Sequence, residues 1–434
     1  MTGSSRPHLI YLAIGFPPAA KSSAYRMRAV ANAFAAHDWD VTAVSLTDES
    51  WQREMGLDPS LLQGLSDRVT RVGVDLARYD LATDIREYTE AQALHWEEWL
   101  AEQERLDHDV FPEDHFGRWL EPLRDALSRV HADKPGDLVM VSPGPYVTLG
   151  SATQFCEDAG VPLALDYRDA WAVDVVTGDE AFPLASRRGE WESRAIERAT
   201  AVWFVNDAIR GFYADRYPAV ATRMRTVRNG FDGDPGAGVA QRVRSPLRFG
   251  YLGTVTLSAE QLALVLRAWR LARTASPLLL DATLEFRGHL GTHTVGANRR
   301  QRTIDRFGRW GVSYGGPVSR NQVAEVYAGW DALLLALIGG RYVTSGKVYE
   351  YVATGLPIVS AHEPDSAAGE VLADYPRWCA NDSLTEAGVA AAFIAAAADA
   401  AGDPVPARAA AEQFRRERIT DAAVAELIEQ VLPR

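Results

Sequence analysis

The chain has 434 residues, of which 47% are hydrophobic and 24% charged, with a formal net charge of −13 and an isoelectric point near 5.3. That supports a sizeable core and exceeds the length of one typical domain, so two domains are expected. The acidic balance argues against nucleic acid or anionic lipid as the main partner, and no run approaches the ~20 apolar residues of a membrane helix.

The first apolar run, "HLIYLAIGF" (8–16), lacks a basic leader and a small-residue cleavage site. It reads as a first β-strand and not as a signal peptide. The loop "GFPPAAKSSAYRMR" (15–28) follows. Its small residues, Gly15 among them, let a backbone approach a ligand, and Lys21, Arg26 and Arg28 supply charge. It contains no GxGxxG, so a dinucleotide site is not expected; a plain strand-to-helix loop with exposed arginines is the alternative. Helical spacing over 24–37 and a strand over 39–46 complete a βαβ start.

Residues 82–132 interrupt this rhythm. The acidic stretch "TDIREYTEAQALHWEEWLAEQERL" (83–106) carries Ile85, Tyr88, Trp96, Trp99 and Leu106 near helical spacing. A helical insertion that packs this stripe on the domain is expected, with a lid or homodimer contact as the alternative. Strands follow at 137–142, 162–167 and 200–205. The segment "LDYRDAW" (165–171) ends one of them with Asp166, Arg168, Asp169 and Trp171. Charges at the carboxyl end of a strand are placed to meet a ligand; a structural Arg–Asp pair beside a packed tryptophan is the competing reading.

The Gly- and Pro-rich stretch 229–246 has no periodicity and reads as a linker. A second series then begins: strand 247–254, helix 258–274, strand 284–291, helix near 298–309, strand 312–316, helix 319–329, strand 331–338, helix 347–354 and strand 356–361. Two Ala-rich helical stretches close the chain. Alternation of this kind predicts two doubly wound α/β domains with mostly parallel sheets, and a ligand cleft at the carboxyl ends of their strands. His289 and His293 read as loop residues. Cys156 and Cys379 are the only cysteines and stand far apart, which provides no disulfide framework or structural zinc site and fits a reducing cytoplasm.

The richest stretch is "TSGKVYEYVATGLPIV" (344–359). Lysine is nearly absent from the chain, with only Lys21, Lys134 and Lys347. Lys134 sits in a surface turn, whereas Lys21 and Lys347 sit between a strand and a helix. Backbone N–H groups at a helix start form an anion site, and Lys347 adds a full charge there. Glu350 shares its helix face, and a carboxylate is suited to the vicinal hydroxyls of a ribose. Cation, helix terminus and carboxylate match a nucleoside diphosphate; a surface Lys–Glu pair is the alternative. Spacing and Val348 exclude a P-loop.

The Pro-Pro loop and following arginine, "PLALDYRDAW" (162–171), "NGFD" (229–232), "YLGT" (251–254), "GGPVSRNQVAEVYAGWDALLL" (315–335) and "KVYEYVATGLPIV" (347–359) together give the chain a resemblance. In their order and spacing it resembles retaining GT-B glycosyltransferases, and glycosyltransferase family 4 in particular, over nearly its whole length. The resemblance implies two Rossmann-like domains with a cleft between them: 1–228 on the acceptor side, a linker at 229–246, a nucleotide-sugar domain at 247–412, and a terminal helix, 413–434, that crosses back to the first domain. It implies that Glu350 meets the ribose, that Ser345, Gly346 and Lys347 meet the diphosphate, and that Gly316 to Val318 line the base. Thr254 borders the same site, and the loop from Gly15 to Lys21 closes over phosphates and acceptor.

Three positions depart from the family pattern. Tyr342 stands where a glutamate is usual, no cation follows "YLG" between Thr254 and Glu260, and the Arg168–Asp169 region replaces a histidine. Lys347 would then be the principal phosphate cation. The expected activity is transfer of a sugar, with retained configuration, from a nucleoside-diphosphate sugar to a soluble small-molecule or natural-product acceptor. Lys347 would stabilise the leaving group, while Arg168 and Asp169 orient acceptor or sugar hydroxyls. The nucleotide sugar serves as donor substrate, with no metal or other cofactor, and the base stays open among UDP, GDP, ADP and dTDP. A nucleotide-sugar 2-epimerase and a catalytically drifted pseudo-glycosyltransferase are the alternatives.

Overall fold

The computed structural model describes residues 6–432 except 55, 77, 80–83, 176, 240–243, 292 and 293. His293, the start of the expected insertion and residues 240–243 of the expected linker lie outside the described residues. The chain divides into two compact units. One comprises Met1–Asp174, Glu180–Arg228 and Glu417–Arg434; the other comprises Val175–Asp179 and Asn229–Arg416. No single helix among the described residues is long and apolar enough to cross a membrane.

The first unit is built on seven parallel strands: β1 (His8–Leu12), β2 (Asp40–Leu46), β3 (Val69–Val74), β4 (Leu138–Val141), β5 (Leu163–Tyr167), β6 (Ala201–Phe204) and β7 (Met224–Thr226), in the order β3-β2-β1-β4-β5-β6-β7. Leu9 is flanked by Val41 of β2 and Leu138 of β4. Strands β1, β4, β5 and β6 are buried along their length, as parallel strands covered on both faces must be. The strand order reverses between β1 and β4. The loops after these strands therefore flank a crevice at the carboxyl edge. The last helix, Arg416–Val431, places Val424 and Leu427 in one core with Leu9, Tyr11, Phe34 and Trp39.

The second unit has six parallel strands: β8 (Arg248–Leu252), β9 (Thr283–Arg287), β10 (Val312–Tyr314), β11 (Ala332–Ala336), β12 (Ile358–Ala361) and β13 (Trp378–Cys379), in the order β10-β9-β8-β11-β12-β13. Its reversal falls between β8 and β11, so the loops 253–258 and 337–345 flank the corresponding crevice.

Several elements differ from expectation. Strands β3, β7 and β13 carry no apolar run: β3 contains Thr70, Arg71 and Gly73, and the other two are very short. The helix expected near 298–309 spans Thr294–Asp305, and a 3-10 turn ending at Gly311 (φ 71°) closes that region. The acidic segment is not one helix. It breaks at His95 between helices Glu90–Leu94 and Trp96–Val110. Its apolar stripe packs only in part, since Ile85 is 77% and Trp96 42% exposed, while Trp99 meets Tyr79 edge-on at 5.9 Å. The described part of 229–246 is anchored: Phe231 is buried, its N–H donates to Phe414 O, and its carbonyl accepts from Arg416 N.

One ion pair ties the first unit's crevice together. Arg26, on helix Ser23–Ala36, and Asp166, near the end of β5, are 1% and 0% exposed. Arg26 Nη2 donates to Oδ1 at 2.6 Å and Nε to Oδ2 at 2.9 Å, while Nη1 donates to Val227 O at 2.8 Å. Removing one partner strands a buried charge. Asp166→Ala is therefore expected to cost about 3–5 kcal/mol in urea denaturation; a change below ~1 kcal/mol would contradict this role.

Candidate functional site

The second unit's site starts from a glycine. Gly253 follows β8 with φ 122°, and a Cβ there would lie 2.4 Å from Lys347 Cε. Its N–H donates to Arg287 O at 2.9 Å, and Val255 N donates to His289 O at 2.8 Å, which laces the β8 loop to the β9 loop. Helix Gly346–Thr354 begins beside this loop. Ser345 caps it, its hydroxyl accepting from Lys347 N at 3.3 Å, and Gly355 (φ 78°) ends it. Tyr351 pins the helix to β8: its hydroxyl accepts from Leu252 N at 2.9 Å and donates to Leu252 O at 3.3 Å. The helix start, with its positive dipole end, is thereby held at the crevice.

Lys347 is half-buried. Its Nζ donates to Thr254 O at 3.3 Å and sits 5.3 Å from the Tyr251 ring centre. An ammonium has three donors, so two remain beyond Thr254. Burial lowers its pKa, opposed by the Glu350 carboxylate. Glu350, one turn on, accepts from Tyr327 Oη at 3.0 Å through Oε2. Burial raises its pKa; Tyr327, Arg320 and Arg416 pull it back, and Asp232 pushes it up. Arg416 Nε meets Asp232 Oδ1 at 2.9 Å, and Arg320 approaches Asp232 Oδ2 at 3.8 Å. Gly316 (φ 80°) has open space where a side chain would stand, and its carbonyl accepts from Gly288 N at 2.9 Å. Val318 packs on the core beside helix Gly346–Thr354.

Thr254, Ser345, Gly346, Lys347 and Glu350 thus meet at one edge of the second unit. The sequence finds no cation directly after "YLGT". The fold brings two from elsewhere: Lys347 to Thr254 O, and Arg300, whose Nε donates to Leu257 O at 2.7 Å and Nη2 to Thr256 O at 3.3 Å. Tyr342 is a packed ring, 8% exposed, with Gly178 held against it and the Arg341 guanidinium over its face. Tyr251, Gly253, Tyr327 and Tyr351 were given no role from the sequence, although all four stand within its quoted motifs.

In the first unit, Lys21, Arg168 and Asp169 stand at the carboxyl ends of β1 and β5. Lys21 Nζ lies 5.3 Å from the Trp51 ring centre, and its pKa is lowered by burial and then by Arg168. Arg168 and Asp169 approach within 3.7 Å. The β1 loop is fixed by Trp51 Nε1 donating to Ile14 O at 3.2 Å and Asp58 N to Pro18 O at 2.8 Å. Gly15 is buried, and a Cβ there would lie 2.4 Å from the Ser23 hydroxyl, so its small size serves the packing of helix Ser23–Ala36. Arg26 and Asp166, read from the sequence as exposed or ligand-facing, are consumed in their buried pair.

The loop after Asp169 is held by rings and buried acids. Trp171 stacks between Tyr146 (4.8 Å) and Phe111 (5.7 Å). Trp171 N and Ala172 N donate to the Tyr213 hydroxyl at 3.1 Å, which donates to Glu192 Oε1 at 2.6 Å. Glu113, from the insertion, accepts from Tyr146 N and Val147 N at 2.8 and 2.6 Å. Burial pushes both carboxyls up to about 7.

No protein-family profile matches the sequence, and no curated protein matches it. Solved structures match along its length. The chain is similar to a sucrose-phosphate synthase from Thermosynechococcus elongatus, at 15% identity, with 98% of this chain and 99% of that one covered and a TM-score of 0.62. Similar likeness joins it to Anabaena HepE in complex with UDP and glucose (13% identity, 98% and 100% covered, TM-score 0.62). The α,α-trehalose 6-phosphate synthase from Burkholderia multivorans also matches (14% identity, 98% of each chain covered, TM-score 0.62). What is shared at these identities is the fold: two Rossmann-like α/β units of the GT-B class.

Glu192 yields a pH prediction. A carboxyl raised in the folded state favours folding below its unfolded value and loses that contribution as pH rises through the folded value. Glu192→Gln does not titrate. Between pH 4.5 and about 7, wild-type stability is expected to fall relative to this variant by roughly 3 kcal/mol, then to level off. Denaturant titrations across this range check it; parallel curves would contradict it.

Proposed function

We propose that this chain is a retaining glycosyltransferase, akin to family 4, that moves a sugar from a nucleoside-diphosphate sugar to a small-molecule acceptor. One observation carries the reading: the Lys347 ammonium, the start of helix Gly346–Thr354 and the Glu350 carboxylate sit together at the switch point between β8 and β11. A diphosphate matches the cation and helix N–H groups, and a ribose matches the carboxylate. The UDP and glucose held by HepE, which shares the fold, favour UDP as the donor base.

In this mechanism the glycosidic C–O bond to the diphosphate lengthens first, and negative charge gathers on the leaving oxygens. Lys347 and the helix terminus offset that charge in a half-buried setting, where it counts for more than in water. The acceptor hydroxyl attacks the same face and passes its proton to a leaving phosphate oxygen. No protein nucleophile is needed. Arg168 and Asp169 are assigned to orienting the acceptor or the sugar hydroxyls.

Lys347→Ala removes the full charge and leaves the helix terminus. Thermal-shift screening with UDP, GDP, ADP and dTDP identifies the nucleotide. Turnover with the matching sugar donor is then expected to fall about 100-fold or more in the variant. Near-normal turnover would contradict the role of Lys347. Nucleotide binding without transfer across a broad acceptor panel would favour a binding-only protein.

A further inference from the structure

The carboxylate on the helix is not free to choose its direction. Tyr327 lies on the short helix Val323–Ala328 and is fully buried. Its ring is held edge-on by Trp330 at 6.2 Å and by Tyr351 at 5.9 Å. Tyr351 is itself bonded to the backbone of Leu252. A run of fixed contacts therefore leads from the end of β8 through Tyr351 and Tyr327 to Glu350. The Tyr327 hydroxyl cannot swing away, and it donates to Glu350 Oε2 at 3.0 Å.

Two arginines compete for the same carboxylate. Arg320 and Arg416 both act on Glu350 electrostatically, and both approach Asp232. Without the tyrosine hydroxyl, a half-buried carboxylate would turn toward these cations to recover lost solvation. We infer that Tyr327 is a positioning residue: by occupying Oε2 it leaves Oε1 as the acceptor for ribose hydroxyls, and so sets a preference for ribonucleotide over deoxyribonucleotide. This rests on the nucleotide-site reading above. The order imposed on Glu350 before binding removes part of the side-chain entropy that a ligand would otherwise have to overcome.

The test is calorimetric titration of wild type, Tyr327→Phe, Glu350→Gln and the double variant. The ligands are UDP, GDP and ADP and their 2′-deoxy counterparts. Tyr327→Phe removes only an oxygen, and its fold is checked by circular dichroism. For the base that binds, wild type is expected to prefer the ribonucleotide about tenfold or more. In Tyr327→Phe the ribonucleotide should weaken by about that factor while the deoxy form changes little. The double variant should be no weaker than Glu350→Gln alone. A Tyr327→Phe protein that keeps the wild-type preference, or additive losses in the double variant, overturns the positioning role while leaving the nucleotide site intact. Wild-type protein that binds only deoxy forms overturns this inference and leaves the site reading, whereas wild-type protein that binds none of the nucleotides overturns the site reading and this inference with it.

Discussion

Lys347 reaches the end of β8 because the residue there has no side chain. Gly253 takes a backbone conformation that suits glycine, and a Cβ would collide with the lysine stem. That vacancy lets a long side chain fold back from a neighbouring helix and place its ammonium on a strand-end carbonyl. The cost is desolvation of the charge, visible in the lowered pKa of the lysine. The ammonium stays half-buried, tied by one hydrogen bond to Thr254 and lying over the Tyr251 ring, so its other donors can turn to solvent or to an anion at the helix terminus.

The two units handle buried charge differently. In the first, Arg26 and Asp166 are paired in full, with the guanidinium also bonded to main-chain carbonyls. Such a pair has nothing left to offer a ligand and acts as a lock. In the second, Lys347 and Glu350 share a helix face without bonding directly; each is tied instead to a different element, through Thr254 and Tyr327. Each therefore keeps capacity for an outside partner. This difference, more than charge itself, separates structural ions from candidate site ions.

Much of the frame was legible in local pattern. Alternating apolar strands and amphipathic helices announced two α/β series, because burial on both sheet faces leaves that imprint. The helix carrying Lys347 and Glu350 was legible too, since capping and helical spacing are local. Partnerships across the chain were not. Arg26 and Asp166 are 140 residues apart, and Lys347 and Thr254 are 93 apart; nothing in either neighbourhood marks the other. The smallness of Gly15 was legible, but not that Ser23 packs against it. Arg300 escaped notice for the same reason: nothing in its own helix marks the carbonyls of Thr256 and Leu257 after β8 to which its guanidinium donates.

The central claim is that the second unit holds a nucleoside diphosphate at the start of helix Gly346–Thr354. Hydrogen–deuterium exchange with and without UDP tests it most directly. The amides of 344–350, together with the loops 253–256 and 315–318, are expected to exchange more slowly when UDP is bound. Protection confined to other segments, or absent at saturating nucleotide, would contradict it.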